Sequence, residues 1–585
     1  MKNANTYAGF LFSIVTFALP AVAQDFERIA PKEPAKQAPG EIVKHGDAAA
    51  TAEPDDQVLI LENLKGLRFV RGIGGVVKTG VNTAGLDTSR VEGLDDPELR
   101  TRLQNYLGKP LTFGGLRAIS REVIDAYRGN DKPLVDVAVP EQEVTAGTVQ
   151  IVVTEFRSGE VRVEGNRYFS SDLIRGGLSA PEGQPIVMSR LKRDLDWLNR
   201  NPFRRVDAVL AKGGEVGTTD ITLKTEDRFP LRVYAGYDNG GTSATGHARW
   251  SAGFNYGNLF GADQQISYQL TASNDFLDGF DVGHARFLAH AVSWTAPLPR
   301  YDLLQVFGSY VQQRPDVGPF FGQDGYSAQV SARYIHPMGG PQWLNQEVQG
   351  GFDYKTTNNN LDFGGVSVFS ASQDVAQFLL KYSATAGDTW GVTTLQNDLV
   401  YSPGGITGNN TDAAYAKSGT SFAKANYTYD TLSLTRATRL PYDASLIARA
   451  KVQIADGNLL PSEQLGGGGV GSVRGYDTRA VNGSEGILLS AEVRSPAFTP
   501  ASLVGLDALD DSAQVLAFWD YARLNDPHTQ PGTSERVSIA SVGVGLDYSV
   551  SRYVSLRTDY GWQLRALPGQ TDKGGQANVA IIISY

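Results

Sequence analysis

From about Phe229 to the C-terminus the chain stops signalling helices and becomes a series of long segments with an apolar residue at every second place. Leu231, Val233, Ala235 and Tyr237 alternate with Arg232, Tyr234 and Gly236. Val542, Val544, Leu546, Tyr548 and Val550 alternate with Ser541, Gly543, Gly545, Asp547 and Ser549. A turn at Ser551-Arg552 leads into Val554, Leu556, Thr558, Tyr560, Trp562 and Leu564. A period of two sends each class of residue to its own face of a strand. A soluble sandwich would pack one of those faces. Here the off-face positions carry Asp, Arg, Gln and many Gly, and the segments are long enough to cross a tilted bilayer, which is the pattern of a transmembrane β-barrel. Such a sheet must close, because hydrocarbon cannot satisfy an open backbone edge. Ala577, Val579, Ile581, Ile583 and Tyr585 continue the alternation to an aromatic C-terminal residue.

The N-terminus indicates the compartment. Lys2, the apolar run Ala8–Leu19 and Ala21-Val22-Ala23 read as a secretory signal peptide over 1–23. Beyond it no apolar run is long enough for a membrane helix. The chain contains 65 Gly, 25 Tyr, 25 Phe and 3 Met, a mix that suits strands and turns. It contains no Cys, which removes disulfides, thiolate metal sites and cysteine nucleophiles. A net charge of −10 argues against a general nucleic-acid binder. Signal peptide, missing cysteine, long alternation and terminal aromatic together point to a Gram-negative outer membrane.

Residues 24–57 are polar and rich in Pro and Ala, and read as an arm or linker. Residues 58–227 are mixed α/β. Helices are predicted from Pro97 to Tyr106 and from Phe113 to Tyr127, the latter with Leu116, Ile119, Val123 and Ile124 at helical spacing. Strands are predicted at Val135–Val139 and Val149–Thr154. The pattern recurs: a strand at Val161–Val163, a short helix at Ser170–Leu178, a helix carrying Leu191, Leu195 and Leu198, and two closing strands. Gly108-Lys109-Pro110 and Gly183-Gln184-Pro185 stand before the longer helix of each unit. These are two copies of a βααββ module, 58–157 and 158–227, followed by a barrel over 228–585.

Catalytic signals are poor. There is no G-x-S-x-G elbow, no phosphate-binding loop and no H-E-x-x-H. His284 and His290 could share a strand face but have no third ligand, so neither a metal nor a cofactor is expected. What stands out is "GGGGVGSVRGYDTRA", Gly466 to Ala480, a glycine-softened loop around Val473-Arg474-Gly475-Tyr476. Arginine is always charged and offers a rigid fork suited to a carboxylate. In "QVLAFWDYARL" an acid, Asp520, interrupts an apolar strand and so is expected to point inward. A lumenal Arg474–Asp520 pair would lock the loop at a chosen depth. The alternative is that Arg474 caps an exposed loop while Asp520 meets lumen water.

"GSVRGY", the acid in Phe518-Trp519-Asp520, tandem modules and a C-terminal barrel together resemble the two-partner secretion transporters, the haemolysin and filamentous-haemagglutinin activator/secretion proteins of the POTRA-barrel superfamily. "LNRNPFRRVDAVL" resembles the helix-to-strand turn of that family's POTRA domains. The resemblance implies a membrane β-barrel of 16 antiparallel strands preceded by two periplasmic α+β POTRA domains. It puts Val473–Tyr476 on the sixth extracellular loop, tucked into the lumen, with Asp520 and Phe518 as the wall partners of Arg474. It makes Val579, Ile581, Ile583 and Tyr585 the signal read by the barrel-assembly machinery. It implies transport, without ATP, of an unfolded secreted partner such as a large adhesin or cytolysin, caught by the POTRA domains. An assembly insertase and a simple porin or adhesin barrel are the competing readings. Two departures stand out: Ala522 takes the place of the family's frequent Gly, and Pro31, Pro34 and Pro39 limit any plug helix to short pieces.

Overall fold

The computed structural model describes residues 29–35, 37, 40–44, 55–132, 134–179, 182–316, 321–341, 343–363, 366–417, 422–506, 508–529 and 536–585. The signal-peptide reading at 1–23 lies outside the described residues. Two compact units are present, one within 36–229 and one combining 230–585 with the described stretch up to Ala35.

The second unit is a closed barrel of sixteen strands. The first eight are β1 (Leu231–Asp238), β2 (Arg249–Leu259), β3 (Gln264–Ser273), β4 (Phe287–Pro297), β5 (Leu303–Gln313), β6 (Phe321–Met338), β7 (Leu344–Phe363) and β8 (Val366–Asp388). The others are β9 (Gly391–Pro403), β10 (Asn426–Arg439), β11 (Ser445–Ala455), β12 (Glu485–Arg494), β13 (Asp511–Asn525), β14 (Arg536–Val550), β15 (Val554–Gln563) and β16 (Gly575–Ser584). Each pairs antiparallel with the next. β16 closes on β1, with Tyr234 opposite Ser584 and Asp238 opposite Ala580. Tyr585 adds two more bonds, exchanged with Val233 at 2.9 and 3.1 Å. Closure leaves no ladder edge in contact with lipid.

The alternation sorts as a bilayer requires. Val233, Val515, Trp519, Val544, Tyr560 and Trp562 are exposed on the outer face. Their neighbours Arg232, Tyr234, Asp520 and Asp559 turn inward, where each makes at least one side-chain hydrogen bond. At the C-terminus Val579, Ile581 and Ile583 share the outward face with Tyr585, while Asn578 points inward and donates to Asp559 at 2.7 Å.

Part of the polar N-terminal arm is seated on the inner wall. Ile29 packs on Ala289, Ala291 and Val311. The Ile29 carbonyl accepts from Gln269 at 3.2 Å, and the Lys32 amide donates to the Tyr234 hydroxyl at 2.8 Å. Prolines at 31 and 34 keep this stretch extended.

The first unit contains the two modules. In the first, the sheet order is Gly85–Asp87, Gly66–Arg71, Thr148–Glu155, Val135–Ala138. Helices Pro97–Gln104 and Phe113–Gly129 supply Leu99, Leu103, Leu116, Ile119 and Val123 to one core with Phe69 and Ile151. Asp96 caps the first helix by accepting from the Glu98 amide, with Pro97 at the first helical position, where an amide is dispensable.

In the second module the order is Ile42–Lys44, Arg204–Lys212, Thr218–Asp227, Arg157–Glu164. The first of these strands comes from the arm and runs parallel to its neighbour, Ile42 opposite Ala208. Helices Ser171–Arg175 and Met188–Leu198 bury Ile174, Leu191, Leu195 and Leu198 against Phe203, Val206 and Ile221. The "LNRNPFRRV" turn is held by its own side chains. Asn199 accepts from the Val206 amide at 2.6 Å and donates to the Val206 carbonyl at 2.8 Å. The Arg204 guanidinium, fully buried, lies 4.8 Å from the Phe169 ring centre and donates to the Leu198 carbonyl at 2.9 Å.

Asn199→Ala removes the partners of the buried Val206 amide and carbonyl, an expected loss of about 1–3 kcal/mol for each group left unsatisfied. Urea unfolding of the full-length protein, followed at Trp197, is expected to show a lower module midpoint. The folded barrel band on unheated gels is expected to stay unchanged.

Candidate functional site

Connections at one end of the barrel are short, such as 260–263, 298–302, 389–390 and 440–444. Short turns mark the periplasmic end of outer-membrane barrels, and longer loops the outside. The loop 456–484, between β11 and β12, is the sixth connection at the outer end. It folds back into the lumen, where Leu465–Gly467 and Val481–Gly483 pair as a small hairpin. Between its arms Val473, Arg474 and Tyr476 are 0%, 2% and 1% exposed, so the loop tip is an interior element.

Arg474 sits between two carboxylates. Its Nε and one terminal nitrogen donate to the two oxygens of Asp520 at 2.8 and 2.9 Å, a bidentate fork. The other terminal nitrogen donates to Glu492 at 2.7 Å. The Arg474 backbone amide adds a 3.2 Å bond to Asp520. The Phe518 ring lies under the guanidinium, its centre 3.4 Å from the central carbon. Phe518, Asp520, Ala522 and Leu524 all face inward on β13, as a period of two requires.

The rest of the tip is held by main chain and by packing. Gly475 has φ of +90°, and a Cβ there would stand 2.7 Å from the Gly561 carbonyl oxygen on β15. A Cβ on Gly561 would in turn meet the Gly475 amide at 2.6 Å. Only glycine at both places lets the two backbones touch. Gln563 donates to the Gly475 carbonyl at 2.7 Å. The Tyr476 hydroxyl lies 2.9 Å from the Ala540 carbonyl and 2.6 Å from that of Arg565. Val473 packs with Leu465, Val481, Ala522, Leu524 and Ile539. The Ala522 methyl therefore fills a place in the cluster that seats the loop.

Sequence reasoning named Arg474, Asp520 and Phe518 but not the charges around them. Glu492 on β12 is shared by Arg474 and by Arg494, the latter at 2.6 Å, with Arg557 at 3.6 Å. Arg494 also pairs with Asp547 at 3.0 Å. The rule that singled out Asp520, a charge interrupting an apolar strand, applies equally to Glu492 in "GILLSAEVRS". The two histidines do not share a strand face. His284 lies in the turn Val282–His284, not on a strand, and His290 on β4 hydrogen-bonds the Tyr268 hydroxyl at 2.7 Å.

A bidentate arginine buried against a barrel wall holds its loop to that wall. Comparison with known proteins gives this lock its context. Residues 217–548 match the model of the haemolysin secretion/activation protein family ShlB/FhaC/HecB, and residues 81–155 match the ShlB-type POTRA domain. Among curated proteins the chain is similar to the heme/hemopexin transporter protein HuxB of Haemophilus influenzae, 24% identical over 486 residues, covering 79% of this chain and 80% of that protein. It is also similar to the outer membrane transporter CdiB of Escherichia coli, 22% identical over 437 residues, covering 72% and 70%. In fold it matches the solved structure of CdiB from Escherichia coli with a TM-score of 0.72 at 17% identity, over 92% of this chain and 93% of that one. The chain belongs to the ShlB/FhaC/HecB haemolysin secretion/activation family: it is a two-partner secretion transporter of the outer membrane, with POTRA modules in the periplasm, and it carries a secreted partner protein across that membrane.

Proposed function

We propose that passage of the partner is controlled by the loop 456–484, and that Arg474 with Asp520 and Phe518 forms the lock that seats it. The observation that carries this reading is the burial of Arg474 between two carboxylates inside a lumen that cargo must use. An arginine withdrawn from such a site leaves Glu492 with Arg494 and Arg557 but takes the ion-pair partner from the buried Asp520, a disruption of about 3–5 kcal/mol. The seated loop is therefore stable at rest, yet within range of displacement by an incoming chain.

The proposed division of labour is an arm at 24–57, POTRA domains at 58–157 and 158–227, and the barrel at 228–585. The POTRA domains catch the unfolded partner by adding its strand to an open sheet edge, such as Val135–Ala138 or Arg157–Glu164. Transport uses no ATP; folding of the cargo outside makes it one-way. The cargo is a large adhesin or cytolysin. The outward stripe Val579, Ile581, Ile583 and Tyr585 faces outer-membrane lipid and is read by the barrel-assembly machinery during biogenesis. The chain is a transporter without catalytic activity and without a nucleic-acid partner, in keeping with its net charge of −10.

Arg474→Ala is expected to retain the folded barrel band on unheated gels while secretion of the partner falls about tenfold or more. Arg474→Lys is expected to restore little, because a point charge cannot satisfy Asp520 and Glu492 together. Wild-type secretion from either variant would sink the lock. Deleting the gene in the native host is expected to remove one large protein from the culture supernatant, read by mass spectrometry. Broad loss of outer-membrane barrels would instead point to an insertase.

A further inference from the structure

The loop that carries Arg474 has a second buried charge that its tip does not use. Glu463 lies in the stem of the loop, and its side chain is 0% exposed. Its Oε1 accepts from Lys355 Nζ on β7 at 2.7 Å. Its Oε2 accepts from Gln377 on β8 at 3.1 Å and from the Tyr429 hydroxyl on β10 at 3.0 Å. Three donors converge on two oxygens, an arrangement that suits a carboxylate, which only accepts. Lys355 has little alternative. It is itself 3% exposed, and its neighbour Asp353 on the same strand is engaged by Arg333 at 2.6 Å.

The main chain around Glu463 is tied to the same wall. Gln453 on β11 donates to the Glu463 carbonyl at 3.1 Å and to the Ser484 carbonyl at 3.0 Å, so one side chain joins the stem to the far end of the loop. Leu459 and Leu460 are buried with Val375, Val400, Tyr415 and Tyr427. The tip, by contrast, bonds to β12, β13 and the β14–β15 region. The loop is thus fastened at two separate stretches of wall, each through a fully buried ionic contact.

We infer that Glu463 is a positioning residue for translocation, a second lock that holds the stem of the loop to β7 and β8 and must open, together with the Arg474 lock, before the lumen can pass a chain. This inference rests on the reading of the loop as the control element. A buried ion pair broken on one side leaves the other charge stranded, so removing either partner frees the stem.

The chain has no cysteine, so a single introduced thiol is a clean reporter. The test uses the full-length protein in liposomes, without cargo. Leu460→Cys reports on the stem and Ser472→Cys on the tip, through their labelling by a membrane-impermeant maleimide. Glu463→Gln and Lys355→Met are each expected to speed stem labelling about tenfold or more while the folded band is kept. The double variant Glu463→Gln with Lys355→Met is expected to label no faster than either single variant, because the two charges act as one contact, whereas independent losses of packing would multiply. Unchanged stem labelling in Glu463→Gln and Lys355→Met would overturn the inference, as would a double variant whose effect is the product of the two single ones. Either result leaves the tip lock standing provided Arg474→Ala still speeds labelling at Ser472→Cys. Failure of that control would count against the tip lock alone.

Discussion

A peptide group in hydrocarbon has no water to bond, so it must find its partner within the protein. Most of the architecture follows from that constraint. Sixteen strands close into a ring so that no edge is left, and β16 is stitched to β1 up to the terminal tyrosine. Closure creates an inside, and the period of two fills it with the polar half of every strand. Once Asp520, Glu492, Arg494 and Arg557 face a shared interior, charges distant in sequence must neutralise one another across it. The loop arginine is the extra cation that this crowd of carboxylates accepts.

Much of this was legible in the sequence, because both the alternation and an acid interrupting it are local signals. Asp520 could be read as inward from its neighbours alone. What escaped depends on register and on occupancy of the lumen. Glu492 meets Arg474 because Ser490 lies opposite Asp520, which puts Glu492 one step along the same inner face, and no local pattern encodes that offset. Along β4 a polar-inside rule would turn His290 to the lumen. Instead Ala289 and Ala291 face inward, since Ile29 of the arm lies against them, and His290 faces out beside Tyr268. In the first module, Gly66–Arg71 went unread because Leu67, Phe69 and Val70 are all buried and show no clean period. The arm strand Ile42–Lys44 was invisible for a different reason: three residues in a polar stretch form a strand only through the neighbour they join.

The two carboxylate contacts of the loop differ in kind. At the tip, one arginine satisfies two acids and stacks on an aromatic ring, so geometry as well as charge selects arginine. At the stem, an acid gathers an ammonium, an amide and a phenol from three strands, so the wall selects the acid. Each contact adjoins an apolar cluster: Val473, next to Arg474, packs with Leu524, and Tyr429, which bonds Glu463, packs with Leu459 and Leu460; low local polarity strengthens the attraction.

The meeting of Gly475 with Gly561 has a mechanical meaning. Side chains reach their partners through rotatable bonds and forgive small displacements. Two main chains in contact do not. The seated loop therefore stands at a hard stop against the wall, set by covalent geometry, and the guanidinium fork meets its carboxylates at that same stop. On the proposed reading of the loop as the control element, such a stop would bring it back to one resting position after each passage, whatever sequence has just gone by.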